Sequence, residues 1–209
     1  MLKNTIKLNK LNFDFYNRND VIQIAKELLG KIVVSNISGV MVSGRIVEVE
    51  AYKAFVDKAS HAYLGKRTAR NQHMYAQAAT AYVYICYGIH QMLNIITNES
   101  EVPDAILIRA IQPLQGIETM MERTGKLQLD YTITKGPGNV GKALGINKIH
   151  SGCNFLGEEL YLLSDDYVLG KNSFGESKRI GVDYAGEDAA LLYRFFIKGN
   201  KYVSGRINK

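Results

Sequence analysis

Residues 31 to 52 constrain the fold more than any other stretch of this chain. Lys31-Ile32-Val33-Val34-Ser35 reads as a strand, Ser38-Gly39 as a turn, and Val42 to Tyr52 as a longer strand returning beside the first. The returning strand has an informative polarity. Side chains alternate across a strand, so Val47, Val49 and Ala51 share one face while Glu48, Glu50 and Tyr52 share the other. The first face is expected to be core, and the second to carry two carboxylates.

Other segments extend this pattern. Asp20 is placed to cap a helix, with Gln23 reaching back as in a capping box; Ile24, Ala25, Leu28 and Leu29 form its apolar face and Gly30 stops it. Residues 53 to 80 lack periodicity and hold Asp57, His61, Lys66, Arg67, Arg70 and Asn71, which predicts a long loop with at most a short helix. Ala81 to Tyr87 is β-rich, Gly88 breaks it and Met92 to Ile96 resumes it, giving a second hairpin with aromatics near its tip. Ala105 to Ile111 reads as a strand interrupted by Arg109. Gly116 to Arg123 reads as a helix ended by Gly125, and Gly136 to Leu144 as a Gly-rich turn into a short helix. Strands are expected at Leu160–Leu163, Arg179–Val182 and Tyr193–Lys198.

Hairpins in place of βαβ repeats predict an α+β fold, with a mixed, largely antiparallel sheet, surrounding helices and a protruding aromatic β-hairpin. With 209 residues, 46% of them hydrophobic, and no low-complexity stretch, the chain is expected to form one domain over 1–209. Its first 18 residues are read as an N-terminal extension, packed or partly flexible.

Two cysteines support neither a disulfide framework nor a Cys-based zinc site. The histidines at 61, 73, 90 and 150 fit no metal-ligand spacing, so no metal or other cofactor is expected. Met1 to Ile6 has no continuous apolar core and no run approaches the roughly 18 residues of a membrane span, so an intracellular protein off the membrane is expected, cytoplasmic and nucleoid-associated if bacterial and nuclear if eukaryotic. Lys and Arg number 26 against 20 Asp and Glu, and the resulting charge of +6 suits a polyanionic partner without identifying one.

Candidate chemical residues are open to more than one reading. Glu48 and Glu50 on one strand face are either a perturbed carboxylate pair or a solvated edge. His61 in a polar loop is a site residue or simply exposed. Arg109 must find acceptors inside its apolar strand, as a buried ion pair or at a strand face open to a pocket. Gly136-Pro137-Gly138-Asn139-Val140-Gly141-Lys142-Ala143 comes close to a phosphate-binding loop, but Ala143 replaces the hydroxyl that would hold magnesium and Gly145 cuts the helix short. The segment could instead grip a DNA phosphate through backbone N–H groups with Lys135 and Lys142, or be an ordinary Gly-rich loop. Tyr82 and Tyr84 share a face, whereas Tyr87 sits at the strand end beside Gly88, where a wedge against base pairs could be presented.

Taken together, Gly44 to Tyr52, Ser60-His61, Arg67 to Met74 and Tyr82 to Gly88 resemble the alkyladenine (3-methyladenine) DNA glycosylase family. The resemblance continues through Leu93-Asn94-Ile95, Leu107 to Ala110, Lys135 to Gly138 and Arg179 to Gly186, in the family's order and over nearly the whole chain from residue 20. It implies a monofunctional enzyme that flips an alkylated or deaminated purine out of duplex DNA and hydrolyses its glycosidic bond, leaving an abasic site. Glu50 matches the base that activates water, and Arg109 a residue beside it. Tyr52, His61 and Tyr84 match the walls around the flipped base, Asn94 the residue that collides with the amino group of guanine, Val182 a pocket-lining position, and Tyr87 the side chain that fills the gap in the duplex. Arg67, Arg70, Lys135 and Lys142 are expected to meet the DNA. The implied partner is double-stranded DNA with a damaged purine, bound by a monomer without an obligate protein partner. Ala78-Ala79-Thr80 departs from the family, standing where a Pro-Gly turn is expected before the aromatic hairpin.

Overall fold

A computed structural model of the chain describes residues 8–170 and 172–205. Residues 1 to 7 of the expected N-terminal extension lie outside them. The chain runs through β1 (Asn9–Lys10), α1 (Phe13–Tyr16), α2 (Val21–Leu28), β2 (Ile32–Ile37), β3 (Val40–Tyr52), β4 (Ala81–Cys86), β5 (His90–Thr97) and β6 (Asp104–Gln115). It continues through α3 (Ile117–Thr124), α4 (Pro137–Leu144), β7 (Leu160–Ser164), β8 (Phe174–Ser177) and β9 (Arg194–Ile197). Among the described residues the strands form one sheet in the order β1-β7-β2-β3-β6-β5-β4, with β9 pairing β3 and β8. Every pairing between these strands is antiparallel, so the fold is α+β around an open antiparallel sheet. No helix among the described residues is long and apolar enough to cross a membrane.

The first hairpin turns at Ser38 and Gly39, both at positive φ (54° and 76°), the backbone a two-residue hairpin turn demands. β3 is the axis of the sheet. Its first half pairs with β2, residues Glu48 to Glu50 pair with β9, and β6 runs along the other edge. The register with β6 shifts on both sides of Glu48, leaving Val47 and Arg109 without a cross-strand partner. Such bulges re-aim side chains beside functional sites.

The core lies on the face that carries Val47, Val49 and Ala51, against α2, α3 and α4 and the Ile106, Ile108 and Ala110 face of β6. A smaller cluster of Ala62, Met74, Tyr75, Tyr82, Ile96 and Ala105 covers part of the opposite face.

Two local expectations are corrected, and two local features find their reason. Asp20 caps α2 by accepting from the Gln23 N–H at 3.0 Å, but the Gln23 amide reaches forward to Glu27 at 2.8 Å, so the reciprocal half of the capping box is missing. Arg179–Val182 is no strand; β8 precedes it at Phe174–Ser177, and the Ile180 N–H that a sheet would use bonds a side chain. Two glycines within α4 serve packing. A Cβ on Gly138 would stand 2.5 Å from His90 Nδ1, and one on Gly141 would meet the Gln91 carbonyl oxygen, so these residues let the helix lie against β5. Finally, Ala79 adopts φ +66°, so the chain keeps a left-handed turn before β4 without glycine there.

Candidate active site

The far end of β3 meets β4, β5, β6 and two loops around a pocket of about 640 Å³, within the range of small-molecule sites. Tyr52 comes from β3, Tyr82 and Tyr84 from β4, Asn94 from β5, and Leu107 and Arg109 from β6. The 53–80 loop contributes His61, Arg70 and Met74; the 180–184 segment contributes Ile180, Gly181, Val182 and Tyr184.

Behind this pocket, Glu48 and Glu50 are both 0% exposed, which rules out a solvated strand edge. Glu50 Oε1 accepts the Ile180 N–H at 2.7 Å, and Oε2 accepts the Tyr52 hydroxyl at 2.8 Å and Arg109 Nη1 at 3.2 Å. Glu48 Oε1 accepts from Arg109 Nε at 3.0 Å, Arg194 Nε at 2.7 Å and the Ser204 hydroxyl at 2.8 Å, and its Oε2 takes the Ser204 N–H at 2.6 Å. Two carboxylates therefore face two guanidiniums. Burial works against the Arg109 cation, but the fields of Glu50 and then Glu48 outweigh it and hold its pKa above the usual arginine value. The two readings of Arg109 thus merge: it is a buried ion-pair partner that also reaches the pocket. Burial first, and then the charge of Glu50, push the Tyr52 phenol well above its ordinary range, so it stays a donor to Glu50.

The opposite wall is aromatic. The His61 and Tyr84 rings meet edge-on at 4.6 Å between centroids, and Tyr82 lies 5.6 Å from Tyr84. His61 Nδ1 is 2.9 Å from the Tyr82 hydroxyl. Burial, reinforced by Arg70 and Lys66, lowers the His61 pKa to about 4, so the imidazole is neutral at pH 7. With Nδ1 engaged, Nε2 is the ring nitrogen left for a ligand. Asn94 is buried and its amide nitrogen donates to the Tyr82 and Met92 carbonyls, each at 3.1 Å, which fixes the side chain at the pocket wall.

β4 and β5 pair from Ala81↔Ile95 to Cys86↔His90. Tyr87 and Gly88 turn between them at φ 50° and 75°. Tyr87 is 89% exposed and Ile89 beside it 65%.

The basic residues expected at DNA are dispersed. Arg70 lines the pocket, donates to the Ile85 carbonyl at 3.2 Å and stands over the Tyr84 ring. Arg67, exposed outside the pocket, pairs with Glu101 at 2.6 Å and stands over the Tyr75 ring. Lys135 reaches the Lys201 carbonyl and Lys142 is exposed on α4; neither lines the pocket, although Pro137 between them does. A second cavity of about 590 Å³ shares His61, Arg70, Tyr82 and Tyr184 with the first and adds Lys58 and Lys66. Lys58, the backbone amide of Ile180 and the Arg194–Ser204 side of the Glu48 network were not legible as site groups, because no spacing within one segment marks them. Among the described residues no three His, Cys, Asp or Glu side chains group as metal ligands.

Residues 14–201 match the family described as methylpurine-DNA glycosylase. Among curated proteins, one from Clostridium perfringens (strain 13 / Type A) is 47% identical over 203 residues, covering 93% of this chain and 98% of its own length. One from Clostridium acetobutylicum is 45% identical over 205 residues (93% and 97% of the two chains), and one from Desulfitobacterium hafniense (strain Y51) is 41% identical over 204 residues (94% and 99%). All three bear the name "Putative 3-methyladenine DNA glycosylase".

Proposed function

The chain belongs to the methylpurine-DNA glycosylase family, and from that premise we propose that it is a monofunctional DNA glycosylase of base excision repair whose general base is Glu50. The observation that carries the reading is a fully buried carboxylate, oriented by three donors, behind an aromatic pocket large enough for a purine.

In this reading a damaged purine is extruded from duplex DNA and enters between Tyr52 and the His61–Tyr84 wall. Extrusion costs a few kcal/mol, least for a lesion that pairs badly, and stacking on aromatic rings returns about 1–3 kcal/mol per base. Tyr87, exposed at the turn beyond β4, fills the gap left in the duplex. A water at the pocket floor passes its proton to Glu50 as its oxygen attacks the sugar C1′ and the C1′–N bond breaks, its electron pair leaving with the base: an alkylated, cationic purine departs neutral, and an uncharged one takes up a proton from solvent. A positioned carboxylate contributes roughly 10²–10⁴ in rate. Arg109 donates to Glu50 and Glu48 at once, and so ties the two side chains together throughout the step. Neutral His61 is able to accept a hydrogen bond from the base, and Asn94, tied to two carbonyls, presents a fixed obstacle to the extra amino group of guanine. Val182 closes the pocket beside Ile180. Alkylated adenine, hypoxanthine and ethenoadenine form the substrate class, and the product is an abasic site without strand cleavage.

Single-turnover excision from duplexes carrying hypoxanthine, and from methylated DNA, tests the proposal when native protein is compared with Glu50→Gln. Excision lost in the variant while lesion binding persists is the expected result. Lesion binding without excision by the native protein would identify a silent damage binder instead. A covalent imine trapped by borohydride would refute the monofunctional route.

A further inference from the structure

Beside Ile180 stands a charged residue that the mechanism leaves unused. The Arg179 side chain is wholly buried, and its guanidinium grips the Asp57 carboxylate with both ends of its fork: Nη2 donates to Oδ1 at 2.8 Å, and Nη1 to Oδ2 in a shorter contact. Nη1 also donates to the Ala51 carbonyl at 3.0 Å and Nη2 to the Asp188 carbonyl at 3.2 Å. The guanidinium lies over the Tyr52 ring, 4.8 Å from its centroid, and over Tyr193 at 5.4 Å. Burial opposes this cation, but the hydrogen bonds and charge of Asp57 prevail and raise its pKa above the usual arginine value.

These contacts converge on Glu50. Ala51 and Tyr52 follow it on β3, and the peptide joining Arg179 to Ile180 supplies the N–H on its Oε1. The Tyr52 hydroxyl occupies its Oε2. We propose that Arg179, held by Asp57, is a positioning residue for the general base, one guanidinium fixing both the Tyr52 ring and the Ile180 amide at the two oxygens of Glu50. It touches neither base nor sugar. The residue must be arginine, because a lysine ammonium keeps the charge but cannot hold a carboxylate, two carbonyls and a ring face from one plane. This inference rests on the glycosylase reading above.

Arg179→Lys and Asp57→Asn test it, each studied well below its own Tm. The readouts are the single-turnover excision rate at saturating enzyme over about pH 5 to 9, and Kd for a duplex with a tetrahydrofuran abasic-site analogue. Displacing a catalytic group by about 1 Å costs on the order of 10²-fold, so that loss of rate is expected with Kd changed by less than about threefold. In a Glu50→Gln background neither change should cost further rate.

A folded variant with native rate overturns the inference. So does a slower variant whose Kd rises in step with the loss of rate, since general loosening of the pocket would act that way. If Arg179→Lys does not fold, Asp57→Asn, which conserves shape and volume, decides alone. Native protein that excises no purine lesion would overturn the functional reading itself, an outcome distinct from inactive variants of an active enzyme.

Discussion

His61 should make this protein's stability depend on pH in a way that one substitution removes. Its pKa falls from an ordinary 6.5 to about 4 because burial disfavours the imidazolium, with Arg70 and Lys66 adding to the effect. The unfolded chain therefore binds a proton that the folded chain refuses, and stability falls as pH drops from about 6.5 toward about 4. Below the folded pKa the full penalty is about 3 kcal/mol. At pH 5.0 the unfolded imidazole is almost fully protonated and the folded one hardly at all, which makes the loss about 2 kcal/mol relative to pH 7.5. Allowing for solvent at the pocket mouth still leaves about 1 kcal/mol. Urea unfolding at the two pH values, for native protein and His61→Gln, measures this directly, because other titrating groups cancel in the comparison. Native protein should lose about 1–2 kcal/mol more than the variant. Equal losses would refute the argument, and with it the neutral imidazole assigned to the pocket wall.

Three further outcomes follow from the geometry. Glu48→Gln leaves Arg109 and Arg194 short of a buried partner and should cost about 3–5 kcal/mol in chemical denaturation; a loss under about 1 kcal/mol would mean the network relaxes. Gly141→Ala drives a methyl into the Gln91 carbonyl and should destabilise by about 1–3 kcal/mol, visible as a lower Tm. A native Tm would return α4's glycines to some role other than packing. Lys58→Ala and Lys66→Ala, at the cavity adjoining the base pocket, should each lower the slope of log Kd against log salt for duplex binding by about 1 while leaving the single-turnover rate intact, and unchanged slopes would place the DNA backbone elsewhere.

Much of the sheet was legible because its signals are local. Ser38-Gly39, Gly88 and Gly125 mark turns through their own backbone preferences, and the alternation on β3 places Glu48, Glu50 and Tyr52 on one face wherever the strand lies. What was not legible shares a cause. Arg179–Val182 has strand-like composition, but its Ile180 N–H is taken by a carboxylate 130 residues away in sequence. The glycines around α4 mimic a phosphate loop, yet Gly138 and Gly141 answer to the proximity of β5, which no window around residue 140 contains. Ala79 holds a left-handed turn within a fully buried setting, where bonds from its N–H to Ile96 and from Phe155 to its carbonyl sustain a backbone its own side chain disfavours.

The sequence by itself determined the residue types of the site, the strand face that carries the two glutamates and the family to which the chain belongs, since these depend on side-chain identity and on a period of two along one strand. Tertiary structure alone decided that both glutamates are buried among cations and donors. That outcome depends on Arg109 from β6, Arg194 from β9, Ser204 near the end of the chain and the Ile180 amide reaching the same few ångströms. A buried charge is tolerable only when its counter-charges and donors arrive from neighbouring elements, and their arrival is a property of the assembled sheet.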